Sequence, residues 1–240
     1  MKPGLLFAGT ASGGTLLDVL DNRYIALTPI SAMIWSALCE NASVDSVLLR
    51  IMELKGIARG PAESLLLRQL SCWKTAKLTD TFACTSDQLP TPVTCAISQV
   101  SEISSEAVAQ HPLSLSLLIE LWATELRYRH ALQKIGLAAT LVRLQQERER
   151  HPVPDDTALL RTLRSYYALR RPYKQGQNSR DCLPRSLGLS AVFRRHSIRA
   201  DLCIGVVDMP FSAHAWVEGR GFVLNETLDI RKKYTVIARF

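Results

Sequence analysis

One stretch constrains this chain more than any other: Asp181 to Ser197, Asp-Cys-Leu-Pro-Arg-Ser-Leu-Gly-Leu-Ser-Ala-Val-Phe-Arg-Arg-His-Ser. Leu183, Leu187 and Ala191 recur at the four-residue spacing of one buried helix face. Pro184 suits a first helical turn, and Asp181 or Ser179 is a residue type that caps a helix start. Cys182 is thereby predicted in the first turn of a packed helix. At that end the helix dipole favours an anion, and Arg180 and Arg185 act in the same direction. A thiol so placed is a candidate nucleophile in need of a base. The candidate base is His214, in Ser-Ala-His-Ala-Trp-Val-Glu.

The rest of the composition narrows the class. A chain of 240 residues suits one large domain or two small ones. Six Cys (Cys39, Cys72, Cys84, Cys95, Cys182, Cys203) are scattered without CxxC spacing. The opening residues have too short an apolar run for a secretory signal, so the expectation is free thiols in a reducing cytoplasm. Apart from Cys182 these thiols are expected to be inert core. The longest apolar run, Leu113 to Trp122, is broken by Ser114, Ser116 and Glu120, which predicts no membrane span. His196 and Cys203 with Cys182 and His214 have no short ligand spacing, so no metal site is predicted. The net charge of +7 is uneven: residues 151–240 hold 15 of the 29 Lys and Arg but 8 of the 22 Asp and Glu. Arg194, Arg195, Arg199, Arg231, Lys232 and Lys233 are either a solvated surface or a face for an acidic partner. Without a zinc finger, an RNA-binding aromatic motif or a basic-region helix, nucleic acid is not expected.

Periodicity divides the chain. Residues 1–30 read as strands, with Thr15–Leu20 and Arg23–Leu27 joined by an Asp21-Asn22 turn. Thr28 then caps a helix with Pro29 at its first position, Ser43 to Leu54 is a second helix ended by Gly56, and Pro61 to Leu78 a third. Strands followed by three helices make a small winged-helix-like domain over residues 1–84. Residues 85–112 read as a linker and a short helix. From Leu113 a helix runs to Ile135, is interrupted at Gly136 and continues to about Arg150, whose last polar residues are read as a solvated face. Asp155 or Asp156 starts another helix, stopped at Pro172, and Tyr173 to Arg180 is a polar loop into the Cys182 helix. Ala200–Val207, His214–Glu218, Phe222–Asn225 and Tyr234–Phe240 form a small antiparallel sheet, with Gly219-Arg220-Gly221 as its tight turn. The fold class is α+β, and residues 113–240 have the order of a papain-like cysteine site: Cys on a helix start, His on a strand. The acid that orients the ring is expected from the strand after the turn, as Glu226 or Asp229, with Asn225 a neutral option. Trp216, two residues from His214 on the same strand face, is expected to wall the site or to be core.

Two resemblances add to this reading. The order Leu-Leu-Asp…Asn-Arg-Tyr-Ile-Ala-Leu-Thr…Ile-Trp over Thr15–Leu38 resembles the small peptide-recognition domains of ribosomal-peptide maturation, which share the fold of the pyrroloquinoline-quinone chaperone family. That implies leader binding as an added strand beside Arg23, Tyr24, Ile25 and Ala26, in a groove against Leu66, Leu70 and Trp73 of the third helix. Over residues 113–240, Asp-Cys-Leu-Pro-Arg-Ser-Leu, His-Ala-Trp-Val-Glu and Leu-Asn-Glu-Thr-Leu-Asp resemble the transglutaminase-like leader peptidases of lasso-peptide biosynthesis. By that resemblance Cys182 is the nucleophile, His214 the base and Glu226 the acid, at a position where the family usually has Asp.

What the second resemblance implies is a cysteine endopeptidase of antibiotic biosynthesis. It would bind the leader of a ribosomally made precursor and cut it off, freeing the core's N-terminal amine. An ATP-dependent, asparagine-synthetase-like lasso cyclase is then the partner that joins that amine to a side-chain carboxyl. No Gly-x-x-x-x-Gly-Lys-Ser/Thr loop is present, so no cofactor is assigned to this chain; ATP use is what the resemblance implies for the partner cyclase. Two other readings share the same residues. One is transglutaminase-type acyl transfer, in which an amine replaces water. The other is a non-catalytic adaptor that delivers the leader to the cyclase.

Overall fold

The computed structural model describes residues 2–10, 12–79, 101–147, 156–169 and 181–240. The chain divides into two compact units, Met1–Ser86 and Asp87–Phe240. In the first, strands β1 (Leu5–Thr10), β2 (Gly13–Asp18) and β3 (Arg23–Leu27) form an antiparallel sheet in that order, so β1 and β3 are its edges. Helices α1 (Pro29–Cys39), α2 (Val44–Lys55) and α3 (Arg59–Thr75) follow. Thr28 caps the first as the sequence predicts, and Ser43, read from sequence as the first residue of the second helix, is its cap; each accepts a backbone N–H from the residue three further on, and each such cap is worth about 1 kcal/mol. α3 starts two residues ahead of Pro61, with Ala58 at its N-cap and no side-chain cap. Leu16, Ile34, Trp35, Ile51, Leu66 and Trp73 form the core of this unit, with the Trp73 ring edge-on to Trp35 at 5.0 Å.

The second unit is a five-stranded sheet in the order β4-β7-β6-β5-β8 with helices packed on it. Its strands are β4 (Ser101–Glu102), β5 (Asp201–Asp208), β6 (Phe211–Gly219), β7 (Phe222–Val223) and β8 (Thr235–Arg239). β4 lies where only linker and helix are expected from sequence, and it pairs parallel to β7, so the sheet is mixed rather than antiparallel throughout. Two residues are too few to show an alternation in the sequence. A short helix, α4 (Ser105–Ala109), follows it. The hairpin turn between β6 and β7 has Arg220 at φ 51° and Gly221 at φ 79°, the left-handed pair of a type I′ turn.

α5 (Leu115–Gln145) is capped by Ser114 and broken at Gly136, where φ is 77°; α6 (Asp156–Leu169) and α7 (Cys182–Arg195) complete the helical layer, and α8 (Ile230–Lys233) is a single turn before β8. The expected helix start at Asp155, the stop at Pro172 and the loop 173–180 lie outside the described residues, as do Ser179, Arg180, Cys84 and Cys95. α7 is not buried along one stripe alone. From Ser186 to Phe193 every residue is buried, whereas Leu183, expected on the stripe, is half-buried. The reason is that α7 is the central helix, with α5 on one side and β6 on another. A Cβ on Gly188 would stand 2.9 Å from the Cα of Glu125, so only glycine admits α5 this close.

Candidate active site

Cys182 is the first residue of α7 and is 7% exposed; His214, on β6, is also 7% exposed. The His214 side chain hydrogen-bonds Cys182. On its far side Nε2 donates to Glu226 Oε1 at 2.8 Å, which leaves Nδ1 for the sulfur. Burial works to lower the His214 pKa, but hydrogen bonds to Cys182 and to Glu226 outweigh it and push it up to about 10. The ring is therefore an imidazolium at neutral pH, held between a sulfur and a carboxylate, with each N–H committed to one of them. Of the carboxylates after the turn, Glu226 is the one against the ring. Asp229 is at the N-cap position of α8 and accepts from Lys232 Nζ at 3.2 Å. Asn225, the neutral option, is turned to the backbone of β6, where its Oδ1 accepts the Val217 N–H at 2.7 Å.

The residue before Cys182 departs from expectation. Asp181 occupies the N-cap position without capping the helix. Its carboxylate accepts instead from Arg129 Nη1 of α5 at 2.6 Å and from Arg185 at 3.4 Å. Two guanidinium groups outbid a single backbone N–H for a carboxylate. The start of α7 is thereby fastened to α5, and its first backbone N–H groups are not taken up by the Asp181 side chain. Those N–H groups, aligned with the helix dipole, suit an oxyanion forming on a carbonyl attacked by Cys182.

The ring against His214 is that of Tyr234, with centroids 5.4 Å apart, and Ser212 Oγ lies 3.2 Å from the Tyr234 hydroxyl. Trp216, expected at the wall, is fully buried behind it, 6.4 Å from Tyr234 and donating Nε1–H to Glu218 at 2.6 Å. It is core that supports Tyr234. Glu218 also accepts from Arg239 at 2.8 Å, and the same Arg239 nitrogen lies 3.1 Å from Cys203 Sγ. Burial drives the Cys203 thiol far upward, so it stays protonated and inert. Cys39 and Cys72, expected as core, are exposed.

The basic surface also needs correction. Arg195 is buried, paired with Glu147 and Glu120 at 3.0 Å each, and Arg231 lies 3.3 Å from Glu218. Glu147, read as part of a solvated run, is thus inside an ion-pair network. Arg199, Lys232 and Lys233 are the members of the set that stay exposed.

In the first unit the proposed leader site separates into two kinds of residue. Arg23 and Ala26 are exposed and Tyr24 and Ile25 half-buried on the edge strand β3. Leu66 and Trp73 belong to the core and Leu70 is half-buried. The helical period that makes α3 amphipathic turns Leu66 and Trp73 inward, so they are the floor under any groove rather than its surface. A cavity of about 310 Å³ lies at the opposite edge, between β1 and α1, lined by Phe7, Gly9, Pro29 and Met33 among others.

A family match bears on the second unit. Residues 122–239 match the model of the transglutaminase-like superfamily. This part of the chain is a transglutaminase-like domain. Its span takes in Cys182, His214 and Glu226. A 58-residue stretch of the chain is 43% identical to the microcin J25-processing protein McjB of Escherichia coli, covering 24% of this chain and 28% of that protein. No solved structure matches the chain. Among the described residues no helix is long and apolar enough to cross a membrane.

Ser186, Tyr234 and Arg129 escape the sequence reading, and Asn225 enters it only as a neutral option for orienting the ring. Ser186, one turn beyond Cys182, carries a weak signal as a polar residue inside an apolar helix. Arg129 carries none, because 52 residues separate it from the Asp181 that it holds.

Proposed function

We propose that the protein is a cysteine endopeptidase that removes the leader from a ribosomally made lasso-peptide precursor. The observation that carries this reading is the buried Cys182–His214–Glu226 row in a transglutaminase-like domain. The similarity to a microcin-processing protein supports the substrate class. Cys182 Sγ attacks the scissile carbonyl, and the oxyanion is met by N–H groups at the start of α7. The His214 imidazolium gives its Nδ1 proton to the leaving amine of the core peptide. Neutral His214 then takes a proton from water as the water attacks the thioester, and the leader leaves with a free carboxylate. Glu226 holds the ring in place and favours its charged form throughout.

Leader capture is proposed at the free edge of β3, where main-chain pairing supplies affinity and Tyr24 and Ala26 flank the added strand. Backbone N–H groups of neighbouring residues point alternately to the two sides of a strand. Of Ile25→Pro and Ala26→Pro, one therefore removes an outward donor. That variant is expected to lose leader affinity about tenfold or more, for one or two lost main-chain bonds. Equal affinity in both variants sinks capture at this edge and turns attention to the β1 side. Release of the freed core to an asparagine-synthetase-like cyclase belongs to the same proposal, with no cofactor in this chain.

The deciding experiment is incubation with the precursor and intact-mass measurement. Separate leader and core masses, lost in Cys182→Ala, support the peptidase. A mass loss equal to ammonia means acyl transfer. Lasso product formed in a reconstituted system by Cys182→Ala as well as by the native protein means an adaptor.

A further inference from the structure

We propose that Ser186 and Asn225 are positioning residues, a buried two-residue bridge that sets where Cys182, His214 and Glu226 stand relative to one another. This rests on the peptidase reading of those three residues. The bridge touches each of their chain segments one step away from the reacting group. Ser186 is one helical turn beyond Cys182 on α7, Ala215 follows His214 on β6, and Asn225 precedes Glu226. Asn225 Nδ2 donates to Ser186 Oγ at 3.0 Å, and Ser186 Oγ donates to the Ala215 carbonyl at 2.9 Å. Asn225 Oδ1 accepts the Val217 N–H at 2.7 Å. Ser186 is 0% and Asn225 5% exposed. The Tyr166 side chain of α6 hydrogen-bonds Asn225 as well.

The physical reason lies in how β7 ends. β7 pairs with β6 only at Glu218 and Gly219, and the Leu224 N–H adds one more bond, to the Val217 carbonyl at 2.9 Å. Beyond that the chain leaves the sheet. Backbone groups of alternate residues face one side of a strand, so the Val217 N–H and the Ala215 carbonyl face the place a longer β7 would have filled. Buried and unpaired, each would be destabilising. Asn225 and Ser186 supply side-chain atoms in place of the missing strand. Because they do, the chain can turn away at Asn225 and bring the next residue, Glu226, to His214 Nε2. The Ser186–Ala215 bond at the same time fixes how far along α7 the sulfur lies from the ring. Both side chains are neutral, so they set distance without adding charge beside the pair. A displacement of about 1 Å at a reacting centre is enough to lose on the order of 100-fold in rate.

The test is alkylation of Cys182 by iodoacetamide in the full chain, followed by peptide mapping, with exposed Cys72 as internal reference. It needs no peptide substrate. Ser186→Ala and Asn225→Ala are compared with the native protein at a temperature where circular dichroism shows each folded. The expected result is a Cys182 rate about tenfold or more lower in each, with Cys72 unchanged. The double variant falls no further than the worse single one, because the two side chains act as one bridge. With precursor as substrate, kcat falls and KM stays. Folded variants alkylated at Cys182 as fast as the native protein overturn the inference and leave the peptidase reading intact. Native Cys182 no faster than Cys72 removes that reading and the inference with it. Should Asn225→Ala not fold, Ser186→Ala alone decides, since it removes a hydroxyl and leaves Asn225 on the Val217 N–H.

Discussion

Helix α7 has a histidine–carboxylate pair near each end, and the two pairs differ in what stands beside them. At the N-terminal end His214 meets Glu226 at 2.8 Å and Cys182 is the neighbour. At the C-terminal end His196, the C-cap residue, has Nε2 3.0 Å from Glu120, and Arg195 lies 3.0 Å from the same carboxylate. Bond lengths barely separate them. The helix dipole does: its positive end favours a sulfur anion, and its negative end favours Arg194, Arg195 and a histidine. Burial separates them too, with His214 and Glu226 both 7% exposed against 22% and 20% for His196 and Glu120. The hydrogen bond from His196 holds the Glu120 carboxyl down to about 2, helped by Arg195 and partly opposed by burial. A histidine beside a glutamate is therefore no sign of chemistry by itself. What marks the first pair is a cysteine at a helix start, and what marks the second is an arginine closing an ion-pair network.

Substitutions at the two ends should behave as differently as the surroundings do. Cys182→Ala is expected to give the largest effect, a loss of about a thousandfold or more in precursor cleavage measured by mass spectrometry; residual cleavage near the native rate would place the reaction elsewhere. Glu226→Gln keeps the shape and removes the charge. It is expected to lower kcat/KM by about 10–100-fold, within the loss known for an acid that orients a catalytic histidine. It should also move the alkaline limb of the pH profile. In the native protein activity is expected to be lost as pH rises through about 10, where His214 would give up its proton. Without the Glu226 charge that limb falls toward the ordinary histidine value of about 6.5. An unmoved limb would mean that Glu226 does not tune the ring.

At the other end, Glu120→Gln should leave cleavage at neutral pH unchanged and cost about 1–2 kcal/mol of stability by chemical denaturation. The cost is less than for a fully isolated buried partner because Glu147 still pairs with Arg195. The Glu120 carboxyl is depressed on folding, so its contribution is fully present above the unfolded value of 4.5 and is lost as pH falls toward 2. The stability gap between native and variant should close over that window. The smallest effect is expected from Asp181→Asn, which weakens the tie from α5 to the start of α7. Because Asp181 and Arg129 are partly exposed, about a third each, the loss should be a few-fold in kcat and under about 1 kcal/mol in stability.

Much of this architecture is legible in the residue order. Thr28 with Pro29 and Ser43 with Gly56 mark helix limits, because capping is chemistry between neighbours. The break at Gly136, the Arg220-Gly221 turn and the sulfur at the head of α7 are local in the same sense. Asp181 shows where such reading stops. By residue type it is a cap, yet two arginines take its carboxylate, one of them from another helix. Arg195 looks like free basic surface and is buried in an ion-pair network. Trp216 looks like a site wall and is core behind Tyr234. Each of these errors has the same origin: the partner that decides the side chain's fate is distant in sequence and leaves no periodic trace.

The sequence by itself determined the local order: where helices start, where the hairpin turns, and that one cysteine heads a helix while one histidine lies on a strand. Those are matters of dipoles, caps and backbone angles over a few residues. The tertiary structure alone decided that Glu226 rather than Asp229 meets His214, that Tyr234 lies over the ring, and that Ser186 and Asn225 take the place of a missing stretch of strand. Which polar groups become neighbours depends on how an early-ending strand leaves backbone atoms to be satisfied, and buried donors and acceptors accept whichever partner packing brings within reach.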